Sequence, residues 1–198
     1  DAELEALCRG DYVMNSKLGT PGNAAVYGGI LKSLRKKGVP PVSATDGPSG
    51  IRLHCFASLL PIGTLLASTW NQQLVRELYA VEGAEMARKG SDVLLAPGMN
   101  IHRDPLCGRN FEYFSEDPLL AGTMGAAVVR GIQSQGVSAC PKHFACNNQE
   151  TMRFYIDSRV SERALREIYL KGFEICVKTA HPFNIMTSYN KINGVLGH

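Results

Sequence analysis

Apolar positions along the chain follow two rhythms that alternate. Short, nearly continuous apolar runs stand at 41–46 (PVSATD), 65–68 (LLAS), 92–98 (DVLLAPG), 136–144 (GVSACPKHF) and 183–189 (FNIMTSY), and they predict buried strands. The segments between them carry helical spacing. Asn71 reads as an N-cap, with Leu74, Leu78, Val81 and Met86 on one inward stripe and Gly90 as the stop. The segment 118–136 opens on Pro118 and closes on Gly136, and 161–180 opens on Ser161 with Glu162 in its first turn. Along this third helix Leu165, Ile168, Tyr169, Phe173 and Val177 are expected to face inward.

Strand and helix therefore alternate, and all-apolar strands of this kind belong to a parallel sheet covered on both faces. An α/β fold is expected, either an open doubly wound sheet or a barrel. No G-x-G-x-x-G and no G-x-x-x-x-G-K-S/T follows the first strand, which weighs against the nucleotide-binding versions. The polar residues favour the barrel. Asp46, the stretch NIHRDPLCGRNFEYFSEDP, the pair Lys142 and His143, and Tyr189 with Asn190 all fall at carboxyl ends of predicted strands. A βα-barrel carries its site on that face.

Composition narrows the choice. With 44% hydrophobic and 20% charged residues, the 198-residue chain has ample material for one globular core. A net charge of +3 is too small to imply a nucleic-acid partner, and the one basic cluster, KSLRKKG at 32–38, reads as the end of an amphipathic helix. No apolar stretch approaches the roughly 20 residues of a membrane span, so no membrane partner is expected. The six cysteines include no C-x-x-C pair and are scattered as in a reduced intracellular protein. A cytoplasmic location is expected, with secretion left open because the chain opens without Met. Cys140, His143 and Cys146 stand at three-residue intervals but lack a fourth ligand nearby, so neither a metal nor another cofactor is expected.

The densest chemistry is KHFACNNQET at 142–151. Together with Asp46, Arg52, Arg109, Glu112, Arg153 and Tyr189, it mixes cations, carboxylates, amides and aromatics. That mixture suits a neutral polyhydroxylated ligand, because each hydroxyl both donates and accepts and can bridge a carboxylate to a cation. A buried Arg109–Glu112 ion pair that only shapes its loop is the plain structural alternative.

Five ordered stretches, DGPSGIR (46–52), GRNFEYFSEDP (108–118), KHFACNNQETMR (142–153), SERALREIYLKGFE (161–174) and MTSYNKINGV (186–195), resemble the barrel domain of family 3 glycoside hydrolases, the β-glucosidase group. The resemblance implies a (βα)8 TIM-type barrel, incomplete over 1–198, and a parent enzyme that hydrolyses terminal β-D-glucosyl residues with retention. It implies that Asp46 takes two hydroxyls on the non-reducing side of the sugar. Arg52, Arg109, Lys142, His143 and Arg153 would line the same subsite, with Met186 as an apolar contact and Tyr189 beside the nucleophile. Relatives that cleave N-acetylglucosaminides carry a histidine–aspartate pair after K-H-F, which ACNNQET lacks, and xylosidase-like relatives tend to show Glu where Asp46 stands.

The family's nucleophile is an Asp in an S/T-D-W motif past the segment matching MTSYNKINGV, and here it is expected beyond His198. The acid/base Glu comes from another domain, an α/β sandwich. Neither is expected in this chain, so its partners are a β-glucoside or oligosaccharide and the remainder of the enzyme or a complementing chain. Asp46 with Glu112 or Glu150 is the alternative catalytic pair. Two further readings stand beside the main one: a non-catalytic sugar-binding or assembly module, and a β-xylosidase-type exo-glycosidase.

Overall fold

The computed structural model describes residues 1–11 and 13–197. His198, beyond which the nucleophile is expected, lies outside the described residues. Helix α1 (Ala2–Arg9) leads into β1 (Ala25–Gly28), the short α2 (Lys32–Lys36) and β2 (Pro41–Asp46). Then come α3 (Gly63–Ser68), α4 (Gln72–Arg88), β3 (Val93–Leu95), α5 (Pro118–Gln133), β4 (Ser138–Ala139) and β5 (Lys142–Phe144). Strand β6 (Asp157–Ser158), α6 (Glu162–Ala164), a π-helical turn (Leu165–Tyr169), α7 (Lys171–Ala180), β7 (Met186–Thr187) and the hairpin β8 (Lys191–Ile192)/β9 (Val195–Leu196) follow. The fold is α/β, as expected, and the described strands do not close into a barrel.

Strand β1 runs antiparallel to β2, while β2, β3 and β4 are parallel neighbours in chain order. A parallel bridge from Gly98 to Lys142 carries the ladder on to β5, which pairs in parallel with β7. Strands β4 and β5 therefore lie in succession along the segment 93–98, with β2 on one side of that segment and β7 beyond β5 on the other. A doubly wound sheet would instead reverse direction at a switch point.

The helix starts follow the sequence. Leu74 N donates to Asn71 Oδ1 at 3.0 Å, Leu119 N to Asp117 Oδ1 at 2.8 Å, and Ala164 N to Ser161 Oγ at 3.3 Å. These side chains satisfy amides that have no partner within the helix.

Four expectations need correction. The run 65–68 is helix α3, not a strand. The run 136–144 is broken into β4 and β5 around Cys140–Pro141, where Pro141 has no amide to give to a ladder. On α4 the buried face is Val75, Tyr79, Glu82, Gly83 and Met86, whereas Leu74 and Val81 are exposed. The cause is backbone approach. Helix α5 crosses α4 where Gly83 faces Ile132 and Gly131 faces Arg76 and Tyr79, so the small residues rather than the leucines meet. Finally, Leu170 N donates to Leu165 O at 2.8 Å, a five-residue step. That turn rotates the following face, so Phe173 and Cys176 are buried while Ile168 and Val177 are left exposed.

Helix α5 is apolar around most of its circumference and lies between α4 and α7, forming the middle of the main core with Phe114, Met99 and Phe173. Among the described residues no helix is long and apolar enough to cross a membrane.

Gly131 tests this packing. Alanine is the better helix former by about 1 kcal/mol. A Cβ there would overlap the Arg76 carbonyl oxygen, however, and overpacking costs about 1–3 kcal/mol. Gly131→Ala should lower the urea midpoint, whereas Gly108→Ala, whose Cβ would meet nothing within 4 Å, should not. Equal effects at the two positions would mean that helix approach does not depend on Gly131.

Candidate active site

Asp46 is the last residue of β2, and the chain turns back so that Arg52 N donates to Asp46 O at 2.9 Å. The segment after β3 brings Arg109 and Glu112 to the same end of the sheet, and β5 supplies Lys142 and His143. Met186 pairs with Lys142 across β5 and β7. Asp46, Arg52, Arg109, Lys142, His143, Arg153, Met186 and Tyr189 all line one open cleft of about 660 Å³, so every residue expected at the sugar subsite converges there. Glu112 and Glu150 line it too.

The cleft is organised by buried charge. The Lys142 side chain is 3% exposed, and its Nζ donates to Asp46 Oδ1 at 2.6 Å and lies 3.8 Å from Glu112 Oε2. Glu112 Oε1 accepts from Arg109 Nε, and Asp46 Oδ2 accepts from Arg52 Nη1 at 3.3 Å. The Arg109–Glu112 pair expected as the structural alternative therefore exists, but both residues also face the cleft. Burial alone would raise the proton affinity of Asp46. Lys142, Arg52 and Arg109 outweigh it and hold this carboxyl below the usual range.

In the same cleft, Arg153 Nη1 donates to Glu150 Oε2 at 2.8 Å, and its guanidinium stands over the rings of Tyr189 and Phe154 at 4.8 and 5.0 Å. The planar cation is thus held by a carboxylate on one edge and by aromatic faces. Asn147 Nδ2 donates to Glu150 Oε1 at 3.2 Å and ties this pair to the core.

His143 is gripped from behind. Its amide donates to Asn100 Oδ1 and its carbonyl accepts from Asn100 Nδ2, both at 2.9 Å. With the amide oriented this way, the contact of His143 Nδ1 with Asn100 Oδ1 at 3.1 Å places the ring proton on Nδ1 and leaves Nε2 an acceptor. Tyr113, which accepts from Asn147 Nδ2 at 3.0 Å, packs its hydroxyl on the same nitrogen. Burial first, then Arg109, Lys142 and Arg153, push the His143 pKa down to about 2, so the imidazole is neutral. A neutral acceptor beside cationic donors and carboxylate acceptors can take every hydroxyl of a polyol in both its roles.

Cys140 and Cys146 stand apart from any cation cage: among the described residues no three His, Cys, Asp or Glu side chains converge to hold a metal. Sequence reasoning missed the wall formed by Met14, Ala24 and Ala25, and also Leu95 and Phe111. The first three arrive through β1 and the segment before it, a four-residue strand without periodic signal.

Residues 25–197 match the family described as glycosyl hydrolase family 3 N terminal domain. The chain belongs to glycosyl hydrolase family 3. This family 3 chain is 54% identical over 197 residues to a beta-glucosidase of Ruminococcus albus, covering 98% of itself and 21% of that protein. It superposes on the crystal structure of a beta-glucosidase from Paenibacillus barengoltzii with a TM-score of 0.95 at 54% identity, covering 98% of itself and 21% of that chain. Beta-glucosidase 3B from Thermotoga neapolitana, solved in complex with glucose, matches with a TM-score of 0.85 at 43% identity, over 99% of this chain and 30% of that one. The family 3 chain spans about a fifth of the length of the curated relatives it matches.

The neutral state of His143 gives a pH dependence with a definite sign. The unfolded chain protonates this imidazole near 6.5, whereas the folded chain does not. Its contribution is complete above pH 6.5 and is lost as pH falls, by about 1.4 kcal/mol for each unit below that value. Urea unfolding at pH 7, 6 and 5 should show this slope, and His143→Gln should flatten it. An unchanged slope in the variant would place the acid sensitivity elsewhere.

Proposed function

We propose that this chain is the sugar-binding part of a retaining β-glucosidase that releases terminal non-reducing β-D-glucosyl residues. One observation carries the reading: the eight motif residues, drawn from four separate segments, line a single cleft that holds both donors and acceptors. The β-glucosidase relatives and the glucose complex of a 43% identical neighbour support glucose as the sugar.

In this reading Asp46, its carboxylate anchored by Lys142 and Arg52, accepts from two hydroxyls at the non-reducing end. Lys142, Arg109 and Arg153 donate along the ring, and His143 Nε2 accepts. Met186 offers an apolar face, and Tyr189 stands where the nucleophile arrives. Contacts that tighten as the ring flattens toward an oxocarbenium ion lower the barrier selectively. Asp46 is held ionised by cations, which fits a binding residue and disfavours it as a proton donor.

Retention needs two carboxyl groups about 5–5.5 Å apart. We assign both to the remainder of the protein: a nucleophilic Asp beyond His198 and an acid/base Glu on a separate α/β sandwich domain. The finer architecture proposed is a (βα)8 barrel to which residues 1–198 contribute the first part. The parallel order β2, β3, β4, the bridge from Gly98 to Lys142, the parallel pair β5–β7 and the polar residues at the carboxyl ends support it.

Two measurements test this reading. The 198-residue chain alone should not turn over an aryl β-glucoside, because binding contacts cannot replace a nucleophile. Turnover that disappears in Glu112→Gln while the fold persists would move the catalytic pair into this chain. In the complete enzyme, Asp46→Ala should lower kcat/KM for glucosides tenfold or more, about 1.4 kcal/mol, and less for xylosides, which lack the exocyclic hydroxyl. Equal losses on both sugars would make Asp46 a partner of Lys142 only.

A further inference from the structure

Behind the cleft, on its buried side, lies a carboxyl group for which the proposed reaction has no use. Glu82 projects from the inward face of α4 and is 2% exposed, and neither of its oxygens has a hydrogen-bond partner among the described residues. The Gly50 amide faces it without closing a full bond. The hydroxyl of Ser49, the preceding residue, is likewise shut off from solvent and unpartnered. One turn back along α4, Tyr79 donates its hydroxyl to Pro48 O at 2.5 Å. Tyr79 and Glu82 therefore reach the underside of the loop 47–51, whose ends carry Asp46 and Arg52 into the cleft.

Resting on the glycoside reading of that cleft, we propose that Glu82, in its protonated form, is a positioning residue that clamps the 47–51 loop and thereby sets Asp46 and Arg52 for the sugar. An ionised carboxylate only accepts, and in this layer it would sit unpaired in a dry site. With its proton, Glu82 becomes a donor as well and can meet the loop backbone at Gly50 as donor and acceptor.

The surroundings agree. On its own helix Glu82 faces Tyr79 and Glu85, and Glu85 is taken up by Lys89 at 3.4 Å and the Ser58 amide. The loop brings an amide and a hydroxyl but no charge. Helix α5, packed beside Gly83, brings Ile132 and Gln135, neither of which titrates. Among the described residues no cation offsets the carboxylate. Burial, and then Glu85, push its pKa up to about 8.

The test uses the full-length enzyme as wild type, Glu82→Gln and Glu82→Leu. Glucose affinity is measured by calorimetry, and amide exchange of residues 47–52 by mass spectrometry, both from pH 6 to 9.5. Wild-type affinity should hold to pH 7 and be roughly tenfold weaker by pH 9, with loop protection lost in step. Glu82→Gln, neutral and still a donor, should match wild type at pH 7 and stay within about twofold across the range. Glu82→Leu should expose the loop at every pH. If Glu82→Gln keeps the wild-type alkaline loss, or if loop exchange ignores both pH and variant, the positioning role is wrong. Glucose that fails to bind at pH 7 would remove the glycoside reading, while the exchange data would still decide the role of Glu82.

Discussion

A single buried ammonium constrains this molecule more than any other group. Lys142 lies almost wholly out of water, and stripping an ion of its hydration costs several kcal/mol unless opposite charge replaces it. Asp46 arrives from β2 and Glu112 from the segment after β3. Arg109 then takes the other oxygen of Glu112. In the buried set two cations meet two carboxylates, with the exposed Arg52 adding a third cation at Asp46, and three parts of the chain are held together in doing so. The same four groups line the cleft, so the interactions that hold its wall also present its donors and acceptors. Removing any one strands a charge whose loss is felt in both fold and site.

Much of the site was legible because its residue types are costly to bury and so have few other reasons to cluster. Asp46, Lys142 and His143 at strand ends, and Arg109 beside Gly108, stood out against apolar surroundings. What was not legible was the far wall. Met14, Ala24 and Ala25 are ordinary residues that reach the cleft only because β1 pairs antiparallel with β2, a long-range choice that leaves no periodic trace in four residues. The tautomer and charge of His143 were also hidden, since they follow from Asn100 and from burial.

Helix positions were readable, but helix faces were less so. Helix α4 carries two competing stripes, and the leucine-rich one looked inward on hydrophobicity alone. Backbone approach at Gly83 and Gly131 selected the other, which carries Tyr79 and a carboxyl into the interior. The segment 161–180 has the right residues and the right cap, yet the five-residue step at Leu165–Leu170 rotates its second half away from the uninterrupted pattern. In both cases a local pattern lost to a contact made elsewhere.

The position of α5 has a consequence for how the chain comes apart. It is apolar on nearly every side and is the shared neighbour of α4 and α7, so neither outer helix can keep its buried face if α5 leaves. Peeling the layers away one at a time would expose the same surface again at each step. The three helices should therefore behave as one cooperative unit, opening together at close to the full unfolding free energy. The hairpin at 191–196, which has few such neighbours, can open locally at little cost.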